Sequence, residues 1–268
     1  MVSARQAAYL QALGVDVYVP RSSPPWQTEV AAEVDAPAVP AVAAPARVPA
    51  PKPARAPSSI VRREPIALPD IAANLDWDEL RAAVVACQRC ELHATRTQTV
   101  FGVGNPQARW MFIGEAPGAE EDKQGEPFVG RAGQLLTSMI RALGLRREDV
   151  FIANVLKCRP PDNRDPKPSE AVSCRGFLER QVALVNPTLI IAVGRIAAQN
   201  LLATETPIAK LRGKVHSFGA QAWPLVVTYH PAYLLRSPGE KRKSWQDLLH
   251  ARQLFGRLEQ ESASRGRA

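Results

Sequence analysis

Four short runs of apolar residues, each rich in Val, Ile or Phe, recur in the second part of the chain. They span residues 109–114, 150–157, 187–194 and 223–230. Runs of this length and composition are typical of buried β-strands. Alternating strands and helices are typical of an α/β fold with a mostly parallel central sheet and helices on both of its faces. We predict such a fold, with helices over Ala132–Leu143, Ser169–Val185, Arg195–Leu202 and Ser244–Leu258.

The N-terminal quarter follows a different pattern. Twelve of the 24 prolines lie between Pro20 and Pro69, interleaved with Ala and Val, and proline interrupts helices. We therefore predict a disordered, Pro/Ala-rich linker over residues 23–68. Residues 1–22 have apolar positions at helical spacing and form a short arm, either a docking element or a terminal helix without a function. The domain is expected over 69–260, followed by a polar, disordered tail over 261–268.

Composition and charge narrow the class of protein. The chain has 268 residues, 46% of them hydrophobic, and no apolar run approaches the roughly 18 residues of a membrane span. The N-terminus lacks the pattern of a secretory signal, so we expect a cytoplasmic protein. The net charge is +8, of which residues 1–75 contribute only +1, from seven Lys/Arg against six Asp/Glu. The positive charge therefore lies in the folded domain. It is compatible with a polyanionic partner and, equally, with a small anionic substrate.

Four cysteines are the sharpest chemical signal. Cys87 and Cys90 form a CxxC pair, and Cys158 and Cys174 lie 16 positions apart. Four cysteines are too few for a disulfide scaffold in a chain of this length. Four thiolates suit either a tetrahedral zinc site or an iron–sulfur cluster, and spacing alone does not choose between them. Two buried pairs of inert thiols are the structural alternative, chiefly for Cys158 and Cys174.

Polar residues follow the predicted strands, where ligands bind in a parallel sheet. Gly114 and Glu115 open a GEAPG turn after the first strand, and Asn154 lies near the end of the second. Arg195 follows the third strand, and His230 ends the fourth. The turn is neither a GxGxxG fingerprint nor a P-loop, which argues against dinucleotide or nucleoside triphosphate binding. We expect a carboxylate, an amide and an imidazole at one rim of the sheet.

Three longer motifs carry a resemblance to a known family. They are GEAPGAEEDKQGEPFVGRAGQLL (114–136), NVLKCRPPDNR (154–164) and HPAYLLR (230–236). With the four cysteines in register, they resemble the motifs of the family 4 uracil-DNA glycosylases over residues 75–255. The resemblance implies a three-layer α/β/α sandwich and a monofunctional enzyme of base excision repair that hydrolyses the N-glycosidic bond of uracil in DNA. It also implies a [4Fe–4S] cluster held by Cys87, Cys90, Cys158 and Cys174.

The resemblance also implies roles for the residues of the site. Phe128 would stack on the flipped uracil, Asn154 would pair with its N3 and O4 edge, and His230 would donate a hydrogen bond to O2. The expected catalytic residues are Glu115, Asn154 and His230. The expected uracil contacts are Gly114, Glu115, Ala116, Phe128, Asn154 and His230.

The residue that positions the attacking water is less well defined. Other glycosylase families of this fold carry an Asp in the turn after the first strand, where this chain has Ala116. Glu115 is our candidate for orienting the water or the base, with Glu121 and Asp122 as alternatives. Glu121 is also a candidate for excluding thymine at the C5 side of the base.

Several residues are candidates for contacts to DNA. Lys157, Arg159 and Arg164 are interpreted either as phosphate contacts or as solvated loop charges. Further along the chain, Arg236 is a candidate for the minor groove, and Leu234 or Leu235 for filling the gap left by the flipped base.

Uracil-containing DNA is the expected partner of a monomer that has no membrane contact, and the arm would recruit a repair or replication protein. One alternative is a non-catalytic Fe–S or zinc protein that binds nucleic acid, although such a protein would not need Asn154 with His230 at the rim. Another is a glycosylase of the same superfamily that prefers other deaminated bases. A relative that stays covalently bound to its product is disfavoured, because no basic, His-containing insertion follows the NVLKCRPPDNR motif.

Overall fold

The computed structural model describes residues 72–265. The predicted arm over 1–22, the predicted linker over 23–68 and residues 266–268 lie outside the described residues. None of the helices described is long and apolar enough to cross a membrane.

Six strands in this part of the chain form one sheet in the order β1-β3-β2-β4-β6-β5. The central strands β3, β2, β4 and β6 are parallel, and β1 and β5 pair antiparallel at the two edges. The four strands predicted from the apolar runs are the four parallel ones, so the mostly parallel sheet is confirmed. The strands are β1 (Val103–Gly104), β2 (Trp110–Gly114), β3 (Phe151–Asn154), β4 (Leu189–Val193), β5 (Val215–Phe218) and β6 (Trp223–Thr228).

Eight α-helices accompany the sheet between residues 72 and 265. The four predicted helices correspond to α3, α4, α5 and α8, and α8 continues through residues 261–265, which we had expected in the tail. The helices are α1 (Trp77–Val85), α2 (Ala119–Gln124), α3 (Arg131–Ala142), α4 (Pro168–Val185), α5 (Arg195–Leu201), α6 (Ile208–Leu211), α7 (Pro231–Arg236) and α8 (Lys241–Arg265).

Alternate residues of each central strand enter two different hydrophobic clusters. In β2, Met111 and Ile113 pack with Phe177 of α4, whereas Phe112 packs with Leu136 of α3. Because side chains alternate across a strand, these clusters lie on opposite faces of the sheet. The helices α1, α4 and α5 cover one face, and α3, α7 and α8 cover the other. The α/β/α sandwich is therefore confirmed.

The order of the strands explains where a ligand would bind. The chain leaves β2 for α3 on one face and leaves β4 for α5 on the other face, although β2 and β4 are neighbours. Such a point leaves a crevice beyond the carboxyl ends of the strands. The fold thus opens a site next to Gly114 at the end of β2.

Candidate active site

A cleft of about 790 Å³ opens at the carboxyl ends of the parallel strands. Segments that follow β2, β3, β4 and β6 line it. The structure brings five of the six predicted base contacts into this lining, namely Glu115, Ala116, Phe128, Asn154 and His230. The sixth, Gly114, borders two of them from the end of β2.

Asn154 presents an unused hydrogen-bonding atom to this site. Its side chain is only 1% exposed, and its Oδ1 is buried without a hydrogen-bond partner among the described residues. Its backbone carbonyl is satisfied, because Lys157 Nζ donates to it at 2.8 Å. Buried polar atoms in proteins nearly always have partners, so an orphaned amide oxygen at a cleft indicates a place for a ligand.

Gly114 makes room for the amide and for an aromatic ring. A Cβ atom at this position would lie 2.5 Å from Asn154 Oδ1 and 2.5 Å from Phe128 Cζ. No real side chain tolerates such contacts, so only glycine allows both groups to approach the strand end. The GEAPG motif signals this glycine in the sequence.

Phe128 is held in an unusual backbone conformation. Its φ angle is 57°, which residues other than glycine seldom adopt, and the residue is only 7% exposed. Glu121 stabilises the turn, because its Oε1 accepts hydrogen bonds from the N–H groups of Val129 at 3.0 Å and Gly130 at 3.2 Å. The Phe128 ring lies 5.6 Å from the His230 ring, with 32° between the planes.

His230 is the N-cap of α7 and has a defined tautomer. Its Nδ1 accepts a hydrogen bond from the Ala232 N–H at 3.1 Å, so the neutral ring carries its proton on Nε2. Burial lowers the pKa of His230 to about 4, and the nearby Arg236 lowers it as well, while Glu121 opposes the shift. The ring is therefore a neutral Nε2–H donor at physiological pH.

Glu115 follows Gly114 and lines the cleft. The Leu156 N–H donates to its backbone carbonyl at 3.0 Å, which fixes the turn against the continuation of β3. Burial raises the pKa of Glu115 to about 7; Asp165 raises it further, and Arg195 lowers it. The carboxyl group is thus divided between its two protonation states near neutral pH, which suits a group that accepts a proton.

A charged pair at the rim was not singled out from the sequence. Arg195 Nη2 donates to Asp165 Oδ2 at 2.8 Å, and both residues line the cleft. Arg195 stands at the first position of α5, directly after β4. Its position after a strand was visible in the sequence, but its pairing with Asp165 was not.

A buried polar network behind His230 was also missed. Arg212 donates to both carboxylate oxygens of Asp247, at 2.7 and 3.0 Å, and Thr228 Oγ1 donates to the same carboxylate at 3.0 Å. The guanidinium group lies 4.3 Å from the centre of the Tyr229 ring. The network therefore anchors the end of β6, from which His230 projects. Nothing in the local sequence links these positions.

The structure separates the alternatives to Glu115. Asp122 is 3% exposed, does not line the cleft, and accepts hydrogen bonds from the Thr97 N–H at 3.0 and 3.1 Å. It is therefore a structural residue, and its candidacy for positioning water was wrong. Glu121 does line the cleft, but one of its oxygens is already engaged with the Phe128 turn.

The residues predicted to contact DNA differ in their exposure and in their partners. Lys157 is only 1% exposed, so both interpretations of Lys157, as a phosphate contact and as a solvated loop charge, are wrong. Arg164 donates to both oxygens of Glu170, at 2.9 and 2.6 Å. Leu234 is buried at 1% exposure, whereas Leu235 is 38% exposed.

The four cysteines lie together, as their spacing suggested. All four line one small pocket beside α1, α4 and the segment after β3. Two donors reach their sulfur atoms: Arg96 Nη1 lies 3.1 Å from Cys158 Sγ, and the Lys157 N–H lies 3.4 Å from Cys174 Sγ. Burial raises the pKa of Cys174 to about 12, so a thiolate there requires a strong positive partner.

The arrangement of the four cysteines bears on whether they would bind a single metal ion or a cluster. No three or more His, Cys, Asp or Glu side chains within 72–265 are arranged to hold a single metal ion. An iron–sulfur cluster takes cysteine thiolates as its ligands, four of them in a [4Fe–4S] cluster. Four cysteines around one pocket, with N–H donors to two sulfurs, fit the donor set of such a cluster.

Comparisons with known proteins agree with this geometry. A family model described as the uracil DNA glycosylase superfamily matches residues 101–249. A type-4 uracil-DNA glycosylase of Archaeoglobus fulgidus is 45% identical over 188 residues, which cover 67% of this chain and 94% of the relative. One of Thermotoga maritima is 47% identical over 156 residues, covering 58% and 80%. A type-5 uracil-DNA glycosylase of Thermus thermophilus is 32% identical over 172 residues, covering 58% and 75%.

Proposed function

The chain belongs to the uracil-DNA glycosylase superfamily, in its type-4 group, and from that premise we propose that it removes uracil from DNA. The reaction is hydrolysis of the N-glycosidic bond, which leaves an abasic site. The observation that carries the proposal is the buried, unpartnered amide oxygen of Asn154 beside Phe128 and His230 in the cleft.

Recognition of the base rests on the Asn154 amide. Uracil presents an N3–H donor and an O4 acceptor, and one amide supplies the matching acceptor and donor. Cytosine presents the reverse pattern and would leave buried groups unpaired, at about 1–3 kcal/mol each. Phe128 offers an aromatic face to the flipped ring. Gly114 lets both groups approach the end of β2, where they lie side by side.

His230 acts on the charge that develops as the bond breaks. The electron pair of the C1′–N1 bond passes into the uracil ring, and negative charge grows on O2. A neutral imidazole with its proton on Nε2 is already in the form that donates a hydrogen bond to this oxygen. Preorganised donors of this kind contribute about 3–4 kcal/mol to lowering the barrier.

Glu115 supplies the position for water on the sugar side. Its carboxylate orients a water molecule toward C1′ and takes up the proton as the new C–O bond forms. Ala116 leaves this part of the turn without a competing carboxylate, and the backbone N–H groups of Glu115 and Ala116 are further candidates for contacts to the base.

The cysteine pocket would hold a [4Fe–4S] cluster through Cys87, Cys90, Cys158 and Cys174. Bound there, the cluster would supply a covalent tie between the segment after α1, the loop after β3 and helix α4. The arm's recruitment of a repair or replication protein, a monomeric state and a cytoplasmic location stay predictions.

The test is excision from end-labelled oligonucleotides that contain a single uracil, thymine or hypoxanthine, followed by alkaline cleavage. We expect cleavage at uracil alone, with a loss of at least about a hundredfold in Asn154→Ala and His230→Ala. Asn200→Ala and His216→Ala are matched controls outside the cleft and should cleave at the wild-type rate. A folded protein that binds these oligonucleotides without cleaving any would contradict the proposal and indicate a nucleic-acid-binding protein. Cleavage at hypoxanthine would show that the substrate is not uracil alone.

A further inference from the structure

Lys157 is a charged residue inside the molecule that the proposed reaction does not use. It is 1% exposed and lies between the end of β3 and helix α4. Its Nζ donates to the Asn154 carbonyl at 2.8 Å and to Gln181 Oε1 at 2.5 Å. Gln181 is itself fixed, because its Nε2 donates to the Phe101 carbonyl at 2.9 Å. The ammonium group thus stands in a fully buried set of hydrogen bonds.

The same residue touches the cysteine pocket. The Lys157 N–H donates to Cys174 Sγ at 3.4 Å, and Lys157 lines the pocket directly before Cys158 in the chain. One residue therefore contacts both the backbone of the base-recognition residue and a sulfur of the candidate metal centre. Within residues 72–265, no other residue hydrogen-bonds both to the Asn154 carbonyl and to a cysteine sulfur.

The charge of this ammonium group requires a counter-charge. No Asp or Glu within 72–265 forms an ion pair with it, and the residue lines the pocket that holds the four cysteines. A buried cation without a counter-ion is strongly destabilising. Thiolates bound to a metal cluster would carry negative charge, so a loaded centre would supply the counter-charge that no Asp or Glu of residues 72–265 provides.

We propose that Lys157 is a positioning residue that ties the Asn154 backbone to the cysteine centre, so that the shape of the base pocket depends on that centre. The proposal rests on the proposed function, because Asn154 is taken to read uracil. Lys157 touches neither substrate nor the reacting atoms. Its effect passes through its two contacts, with the carbonyl of Asn154 and with the sulfur of Cys174.

The experiment compares the cluster-loaded, full-length wild type with Lys157→Met, which keeps the length of the side chain and removes its charge and its donors. Lys167→Met is the matched control, since Lys167 is half-exposed and pairs with Glu91 on the surface. Two quantities are measured: the single-turnover excision rate with the Kd for uracil-containing DNA, and the rate of iron release to a chelator.

For Lys157→Met we expect an excision rate lower by about tenfold or more, with the Kd for DNA changed less than about twofold. We also expect iron release faster by about tenfold, the usual effect of removing a group that supports metal ligands. Lys167→Met should change none of these. Normal excision and normal iron release in folded Lys157→Met would overturn the proposal.

A second variant covers the case in which Lys157→Met does not fold. Gln181→Met removes one acceptor of the ammonium group but keeps the charge, and we expect an excision rate about threefold lower, as for the loss of one hydrogen bond. An unchanged rate in this variant would also overturn the proposal. The wild-type arm separates the two ideas: absence of excision there contradicts the proposed function, whereas normal excision with unaffected variants contradicts only the role of Lys157.

Discussion

At the scale of single residues, the end of β2 is the most constrained point of the cleft. Gly114 sits where an added Cβ would collide with both Asn154 Oδ1 and the Phe128 ring. We expect Gly114→Ala to push these groups apart, at a cost of about 1–3 kcal/mol in the free energy of unfolding. Displacement of the base pocket should lower the excision rate at least about a hundredfold. Chemical denaturation and single-turnover kinetics measure the two effects.

Gly256→Ala is the control for this substitution. Gly256 lies in α8, and a Cβ there meets nothing within 4 Å. Alanine should stabilise this helix by about 0.5–1 kcal/mol without changing excision. If Gly114→Ala behaved like Gly256→Ala, the close approach at Gly114 would have no part in the site.

Glu115 sets the expected dependence of excision on pH. Its pKa is raised to about 7, and the carboxylate is the form that accepts a proton from water. The single-turnover rate should therefore rise with pH up to a plateau above about 7. The pKa of His230 is lowered to about 4, so titration of His230 does not contribute to this rise. Glu115→Gln should remove this rise and lower the plateau by about 10²–10⁴-fold. A Glu115→Gln rate equal to that of the wild type would exclude Glu115 from the chemistry.

The same pKa shift predicts a change in stability that does not depend on catalysis. A carboxyl group whose pKa is raised from 4.5 to about 7 by folding binds more protons in the folded state between these values. Stability contributed by its neutral form is then lost as the pH rises through this window. Thermal denaturation should therefore show Glu115→Gln gaining stability over the wild type between pH 5 and pH 8, and a constant difference would mean that the pKa is not raised.

At the scale of elements, helix α7 presents two adjacent leucines with different roles. Leu235 is 38% exposed beside the cleft, whereas Leu234 belongs to the hydrophobic cluster under the sheet. We expect Leu235→Ala to lower excision from double-stranded DNA about tenfold, because a wedge that offsets the cost of flipping is lost. Excision from single-stranded DNA should change less than about twofold, since the base there is already unstacked.

Leu234→Ala provides the contrast within the same helix. Loss of its buried side chain should lower the free energy of unfolding by about 2–5 kcal/mol, measured by denaturation. Any change in the excision rate should be equal for single-stranded and double-stranded DNA. An equal loss of excision on single and double strands in Leu235→Ala would show that the exposed leucine does not act on the stacked duplex.

The elements also show which parts of the fold the sequence predicts. The central strands and the helices α3 and α4 are recovered, because apolar runs and helical spacing persist over enough residues. The helices α2, α6 and α7 have only four to six residues each, too few for a period to appear. Helix α1 was missed although its capping box, Asp76 with Glu79, is a local signal.

At the scale of the whole molecule, the two hydrophobic clusters draw on residues 72–258 of the described part. The sequence predicts residues 1–68 to be an arm and a linker, so we expect their removal to leave the domain intact. We expect unfolding free energies of the truncated and full-length proteins to agree within about 0.5 kcal/mol, and excision rates within about twofold. Denaturation and single-turnover kinetics on both proteins provide the test, and a large loss in either would assign residues 1–68 a role in the domain.

Which chemical groups reach the cleft could be predicted from the sequence. Glu115, Asn154 and His230 each stand at the end of a strand whose apolar run is visible, and parallel strands bring their carboxyl ends to one edge. The clustering of the four cysteines was expected from their residue type and spacing. These features follow from local pattern together with the general geometry of a parallel sheet.

Which polar groups remain free and which already have hydrogen-bond partners depends on the packing of distant segments. Asp122 and Glu121 are neighbours in the chain, yet one is tied to Thr97 and the other faces the cleft. Lys157 reads as a surface cation but is enclosed by Asn154 and Gln181. Burial and hydrogen-bond partners depend on residues far apart in the chain, so the raised pKa of Glu115 and the lowered pKa of His230 arise only once the sandwich has packed.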